Sequence, residues 1–184
     1  LDYIGVQFAL AIYLRYLKGK YLNPVVNSDD LKNMSEKRLS ESKSEKIIIG
    51  GMNKQLECLY DKGEYLAGKS TTIVYNNKHL KYITAVLNST LMSFYYAKYY
   101  NSMSLAGGFF RIGAPQIKSL PIAFPNNENI MREVEELVED IQLLMRTNEF
   151  EAANVQDIYH RIDSYVYDAY GLDNEELRII LYRE

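Results

Sequence analysis

Tryptophan is absent from this chain, cysteine occurs once and histidine twice. A lone Cys58 excludes a disulfide scaffold and a cysteine-built zinc finger. His79 and His160 leave little basis for a histidine-built metal site. Four prolines and ten glycines exclude collagen-like or linker-like sequence. Long apolar runs are missing too: the longest near the start, Val6 to Leu14, ends at Arg15 and is too short to cross a bilayer. No basic segment precedes it and no small-residue cleavage site follows, so it does not read as a signal peptide. A cytoplasmic protein with no membrane contact is expected. Because residue 1 is leucine and not methionine, the chain is also expected to be a piece of something longer.

What is present is a core-forming composition, 47% hydrophobic and 24% charged over 184 residues, enough for one or two domains. The net charge of -3 conceals a sharp internal step. Residues 1–120 hold 16 Lys and Arg against 9 Asp and Glu, whereas residues 121–184 hold 5 against 15. Such a step marks a boundary of organisation. The basic part suits a polyanion and the acidic part would be repelled by one. A plainer reading is two solvated surfaces of opposite sign docking on each other.

Patterning predicts an α+β lobe followed by helices. Tyr3 to Leu17 is too densely apolar to show one period, so helix and buried strand both stay open there. Asn27 to Ser44 is polar and serine-rich, a loop or short exposed helix. Lys46 to Ile49, stopped by Gly50-Gly51, reads as a strand and turn, and Ser70 to Tyr75 as a second strand. Asn77 caps an amphipathic helix with Leu80, Ile83, Leu87, Leu91 and Phe94 on one face, ending before Gly107-Gly108. Phe109 to Ile112 and Leu120 to Pro125 are short apolar pieces around a turn at Ala114-Pro115. Beyond Pro125, Asn126 or Asn127 caps a helix whose Ile130, Val134, Leu137, Ile141 and Leu144 follow the spacing of a coiled-coil seam. Val155, Ile158, Ile162, Tyr165 and Ala169 form a second stripe, Gly171 a stop, and Asp173 with Glu176 a cap for a last helix. The expected architecture is thus a small mixed-sheet lobe over residues 1–125 and an acidic helical hairpin tail over 126–184.

Few segments carry catalytic chemistry. Gly63-Glu64-Tyr65-Leu66-Ala67-Gly68-Lys69-Ser70 matches a phosphate-binding loop pattern. That loop works by aiming amides and a helix N-terminus at phosphate. Here a strand pattern follows, Glu64 and Tyr65 bring charge and bulk, and Leu56 to Asp61 is a poor buried strand. Coincidence is the better account, and an ATP-binding enzyme stays a third reading. Cys58 lacks the electropositive surroundings of a nucleophile. The sequon Asn88-Ser89-Thr90 falls within a predicted helix and is discounted. More telling, 12 of the 17 tyrosines precede residue 121 and interleave with Lys and Arg. Aromatic rings stack on bases and sugars while Lys reaches phosphates, so nucleic acid is the favoured partner class.

The order of Lys46 to Ile49, Tyr65 to Ser70, the helix Tyr82 to Tyr95, Gly107-Gly108, Arg111-Ile112, Leu120 to Pro125 and an acidic helix resembles a known family. It is similar to the TaqI-like C-terminal specificity domain, the target recognition domain of adenine-specific DNA methyltransferases and of fused restriction–modification enzymes. It also resembles half of a type I specificity subunit, and Ile162 to Leu172 is similar to the usual end of such chains. The resemblance covers about residues 46–184, with residues 1–45 matching less well. It implies double-stranded DNA as ligand and a methyltransferase catalytic domain, in cis or in trans, as partner, in a prokaryotic cytoplasm. It also implies a parent enzyme with or without a fused endonuclease. Asn23-Pro24-Val25-Val26 lacks the second proline and the aromatic residue of the family's catalytic motif. No catalytic residue, metal or cofactor is therefore expected in this chain, S-adenosylmethionine belonging to the catalytic domain. Phosphate contacts are expected from Arg15, Lys18, Lys20, Lys54, Lys69 and Lys118, and base-side contacts from Asn53, Gln55, Ser70, Thr71 and Arg111. The alternative is a protein-assembly module using the Ile130 to Leu144 seam without nucleic acid.

Overall fold

The computed structural model describes residues 3–5, 25–27, 32, 35–67, 71–75, 77–147 and 152–182. Strands β1 (Tyr3–Gly5) and β2 (Val25–Asn27) pair antiparallel. The polar stretch that left loop and helix open contains helix α1 (Glu36–Lys43). The isoleucine run is strand β3 (Lys46–Gly50), flanked by β5 (Cys58–Asp61) and β6 (Thr71–Tyr75) in the order β5-β3-β6. Every residue of β3 is buried, which is why Ile47-Ile48-Ile49 is continuous and not alternating. The sheet pairings among the described residues are all antiparallel, where a mixed sheet was expected.

Strand β5 corrects the reading of Leu56 to Asp61 as a poor buried strand: all four of its residues are buried. Its polar ends are satisfied from a distance. Asp61 faces Lys46 across the sheet, and their side chains form an ion pair that is 0% exposed on both sides. At the other end, the Asn88 amide donates to the Cys58 carbonyl and accepts from the Cys58 N–H, both at 2.8 Å. That clasp gives Asn88 of the sequon a structural task.

The long helix expected from residue 78 is two helices, α2 (Leu80–Asn88) and α3 (Thr90–Tyr99). Ser89 between them is extended, and its hydroxyl accepts the Met92 N–H at 3.1 Å as the cap of α3. Asp163 accepts the Thr90 N–H at 2.9 Å and the Thr90 hydroxyl at 2.6 Å, completing the break. Asn77 accepts the His79 N–H at 3.0 Å, one turn ahead of α2. The expected turn at Ala114-Pro115 is a short helix, α4 (Ala114–Lys118), with proline at its start.

Three tail helices follow, α5 (Glu128–Thr147), α6 (Ala152–Tyr170) and α7 (Asn174–Tyr182). Asn127 accepts the Asn129 N–H at 2.9 Å at the entry to α5. Gly171, at φ 66°, ends α6 with the Leu172 N–H on the Tyr167 carbonyl at 3.2 Å and its own N–H on that of Asp168 at 3.1 Å. Asp173 and Glu176 cap α7 reciprocally, with bonds of 2.9 and 3.0 Å. The tail lies on the lobe. Val134, Leu137, Val138, Ile162 and Val166 share one core with Ile47, Tyr60, Val86 and Leu87. The Ile130 to Leu144 seam is therefore largely consumed inside the chain, which removes the basis for using it in assembly. Tyr82 and Tyr170 donate to the carbonyls of Ala123 and Pro121, tying down the connector between lobe and tail.

Candidate nucleic-acid interface

Gly50 accepts the chain into a loop: its N–H donates to the Glu57 carbonyl at 3.0 Å, closing the β3–β5 hairpin above Gly51 to Leu56. Within that loop β4 (Met52–Asn53) pairs with β8 (Phe109–Arg111), which in turn pairs with β7 (Ser104–Leu105). The Ile112 N–H on the Gly51 carbonyl at 2.9 Å fixes this second sheet to the first. A three-residue tip, Ala106-Gly107-Gly108, joins β7 to β8, with φ of 81° and 76° at the two glycines. Those values favour glycine.

Residues opposite one another in an antiparallel pair share a face, and faces alternate along each strand. Phe110 and Ile112 are buried, Phe110 edge-on to Tyr96 with ring centroids 5.7 Å apart. Phe109 and Arg111 consequently point outward. Met52 lies opposite Arg111 and Leu105 opposite Phe109, which completes an outer face. The Lys54 ammonium stands 5.5 Å from the Phe109 ring centroid, above the same face.

The structure thus brings Lys54 and Arg111 together from positions far apart in sequence. Asn53 is separated from them: it lies opposite Phe110 on the inner side, and its Nδ2 is buried with no hydrogen-bond partner among the described residues. Gln55 sits half-buried in the same loop. Thr71 pairs with Gly50, one residue before that loop begins. Lys118 is exposed at the end of α4, which is held to α3 by the Tyr100 hydroxyl, 2.5 Å from that of Ser119. Arg15, Lys18, Lys20, Lys69 and Ser70 lie outside the described residues. Sequence reasoning missed Met52, Leu105 and Phe109. The alternation Phe109-Phe110-Arg111-Ile112 was the signal for Phe109, whereas Met52 and Leu105 are placed only by pairing.

Electrostatics sorts the cations. Glu139 on α5 takes Lys81 at 2.7 Å and Lys62 at 3.4 Å, and Lys46 is spent on Asp61. The acidic tail therefore docks on part of the basic lobe through ion pairs. Lys54, Lys98, Arg111 and Lys118 have no carboxylate partner among the described residues. Lys54 and Arg111 belong to the β4–β8–β7 sheet and its loop, and Lys98 and Lys118 to the ends of α3 and α4; Lys43, Lys78 and Arg178, elsewhere in the chain, are likewise exposed without a carboxylate partner among the described residues. Tyr99, 64% exposed, stacks on Tyr95 at 5.4 Å beside Lys98.

Other candidate chemistry falls away on geometry. After Ser70 the chain is strand β6, and the Asp61 carboxylate accepts the N–H groups of Glu64 at 3.0 Å and Tyr65 at 3.3 Å. Amides of the phosphate-loop pattern are thus turned toward an anion of the protein's own. Burial, reinforced by Glu57, pushes the Cys58 thiol far above its ordinary range, the opposite of an activated nucleophile. Among the described residues there is no cluster of three metal-ligating side chains, and no helix long and apolar enough to cross a membrane.

The family model of the TaqI-like C-terminal specificity domain matches residues 12–122. The chain belongs to that family. The match begins earlier than the resemblance read over residues 46–184, and it stops before the acidic helices. It contains β3 through α4, and so the whole outer face just described. As a TaqI-like specificity domain the chain serves sequence-specific DNA recognition in a restriction–modification context, and its family's role is specificity rather than catalysis. No curated protein matches the chain.

Proposed function

We propose that this specificity domain reads double-stranded DNA for an adenine-specific DNA methyltransferase of the prokaryotic cytoplasm, supplied in cis or in trans. The partner is either a fused modification enzyme, with or without a nuclease, or the apparatus served by a type I specificity subunit. The observation that carries this reading is the outer face of β4–β8–β7, where Lys54 and Arg111 stand exposed and, among the described residues, without carboxylate partners. Lys54, Lys98 and Lys118 set the register through phosphates, and the Arg111 fork suits the two acceptors of guanine in the major groove. Methyl transfer is the partner's work, as is holding S-adenosylmethionine. The string Asn23-Pro24-Val25-Val26 carries no aromatic residue to stack on a flipped adenine.

Titration of the full chain against duplexes enriched from a randomised pool tests the reading. Affinity is expected to fall steeply between ~50 and ~200 mM salt. Lys54→Ala should reduce the salt slope by about one, while Arg111→Ala should cost ~1–3 kcal/mol and relax preference at one base pair. Absence of salt-sensitive binding to every duplex would refute it.

A further inference from the structure

The DNA reading gives no task to Met52, Leu105 and Phe109, which are 52%, 41% and 38% exposed. Single exposed apolar residues are ordinary on a protein surface. These three are not single, because the register puts them on one face of one sheet, beside Lys54 and Arg111. An apolar strip flanked by unpaired cations suits a ligand that is anionic at its edges and offers small apolar groups between them.

Duplex DNA has that arrangement in its major groove, where phosphates line the edges and the thymine C5-methyl projects from the base pairs. A two-stranded β-ribbon fits the groove's width of about 12 Å. β8 is paired with β4 at Arg111 and Phe110, but from Phe109 to the tip it runs with β7 alone, so Leu105 to Phe109 form such a ribbon with Ala106-Gly107-Gly108 as its slim end and Met52 at its base. Resting on the DNA reading above, we infer that Met52, Phe109 and Leu105 form an apolar strip that recognises thymine methyl groups in the major groove. The held posture of Phe109 favours this over insertion between base pairs. Lys54 covers the ring from 5.5 Å, and Gly107 lies so close that a Cβ there would touch ring carbons at 3.5 and 3.6 Å. A wedge that opens a base step needs a ring standing clear of its own strand.

Uracil in place of thymine removes the methyl group and leaves every hydrogen-bonding atom unchanged, so the wild-type chain itself provides the test. Duplexes enriched by the full chain are remade with deoxyuridine replacing thymine one position at a time, and affinities compared by fluorescence anisotropy. At one or two positions the change is expected to weaken binding roughly three- to fivefold. Phe109→Ala and Leu105→Ala should weaken binding to the thymine duplex and abolish the thymine–uracil difference there. Arg111→Ala should weaken both duplexes in parallel. Equal affinities at every position, or an enriched site without thymine, overturn the inference while leaving the DNA reading intact. So does an increase in 2-aminopurine fluorescence beside the contact that disappears in Phe109→Ala, which would mean insertion. No salt-sensitive binding at all overturns the DNA reading first, and the inference with it.

Discussion

Replacing Lys46 with methionine would leave the Asp61 carboxylate fully buried and without its cation. Both side chains are 0% exposed, so water cannot take the place of the lost partner. The Lys46 ammonium also donates to the carbonyls of Ser42 and Ser44, and both bonds would go. Asp61 would keep the amides of Glu64 and Tyr65 at 3.0 and 3.3 Å, too little to neutralise it. Breaking a buried pair in this way costs about 3–5 kcal/mol. That is a large part of the ~5–15 kcal/mol that holds a domain folded. The expected fall in Tm is about 6–20 °C, at ~2–4 °C per kcal/mol for a chain of this size. Urea unfolding followed by circular dichroism gives the free energies. Lys46→Met/Asp61→Leu removes both charges together, so its cost should fall short of the sum of the single costs by ~0.5–3 kcal/mol. The pair sits at the end of the β3–β5 hairpin away from β4, so the folded fraction of Lys46→Met should bind duplex as the wild type does. A single-variant cost below ~1 kcal/mol, or additive single costs, would refute the argument.

Gly63→Ala should be strongly destabilising, by about 2 kcal/mol or more, because φ is +101° and the new Cβ would run into the Lys43 backbone carbonyl; thermal melts check this. Cys58 should resist thiol reagents in the native chain and react fully in urea, since burial and then Glu57 disfavour its thiolate. Rapid labelling without unfolding would contradict it. The hydrogen bond from Lys81, with Lys62 beside it, holds the Glu139 carboxyl below its usual pKa. A depressed carboxylate contributes stability above its unfolded pKa and loses it as pH falls through the folded value. Glu139→Gln should therefore cost under ~1 kcal/mol at neutral pH, less in high salt, and nothing once acid has protonated Glu139 in the wild type. A difference that grew on acidification would contradict the ion pairs.

The helical tail was the most legible part of the chain. Its caps at Asn127, Gly171 and the Asp173–Glu176 pair involve bonding partners within five residues, so adjacent letters encode them. Strands β3 and β6 were legible because β-branched runs favour extended backbone whatever surrounds them. The break at Ser89 was less so: its hydroxyl caps α3 locally, but the carboxylate that completes the break is Asp163, on another helix. Nor was β5, whose Asp61 looks unfit for burial until Lys46 stands opposite it. Of the candidate face, residue type alone points to Arg111 and Lys54, which the register leaves on the outer side, whereas pairing turns Asn53 inward.

By itself, the order of residues determined where charge changes sign, which segments extend or coil, and to which family the pattern is similar, because those properties reside in neighbouring side chains. The tertiary structure decided which cations are spent on Asp61 and Glu139 and which have no carboxylate partner among the described residues. It also decided that Met52, Leu105 and Phe109 meet Lys54 and Arg111 on one face. The physical reason is that strand register joins residues more than fifty positions apart, and a one-residue shift would turn every one of these side chains to the opposite face.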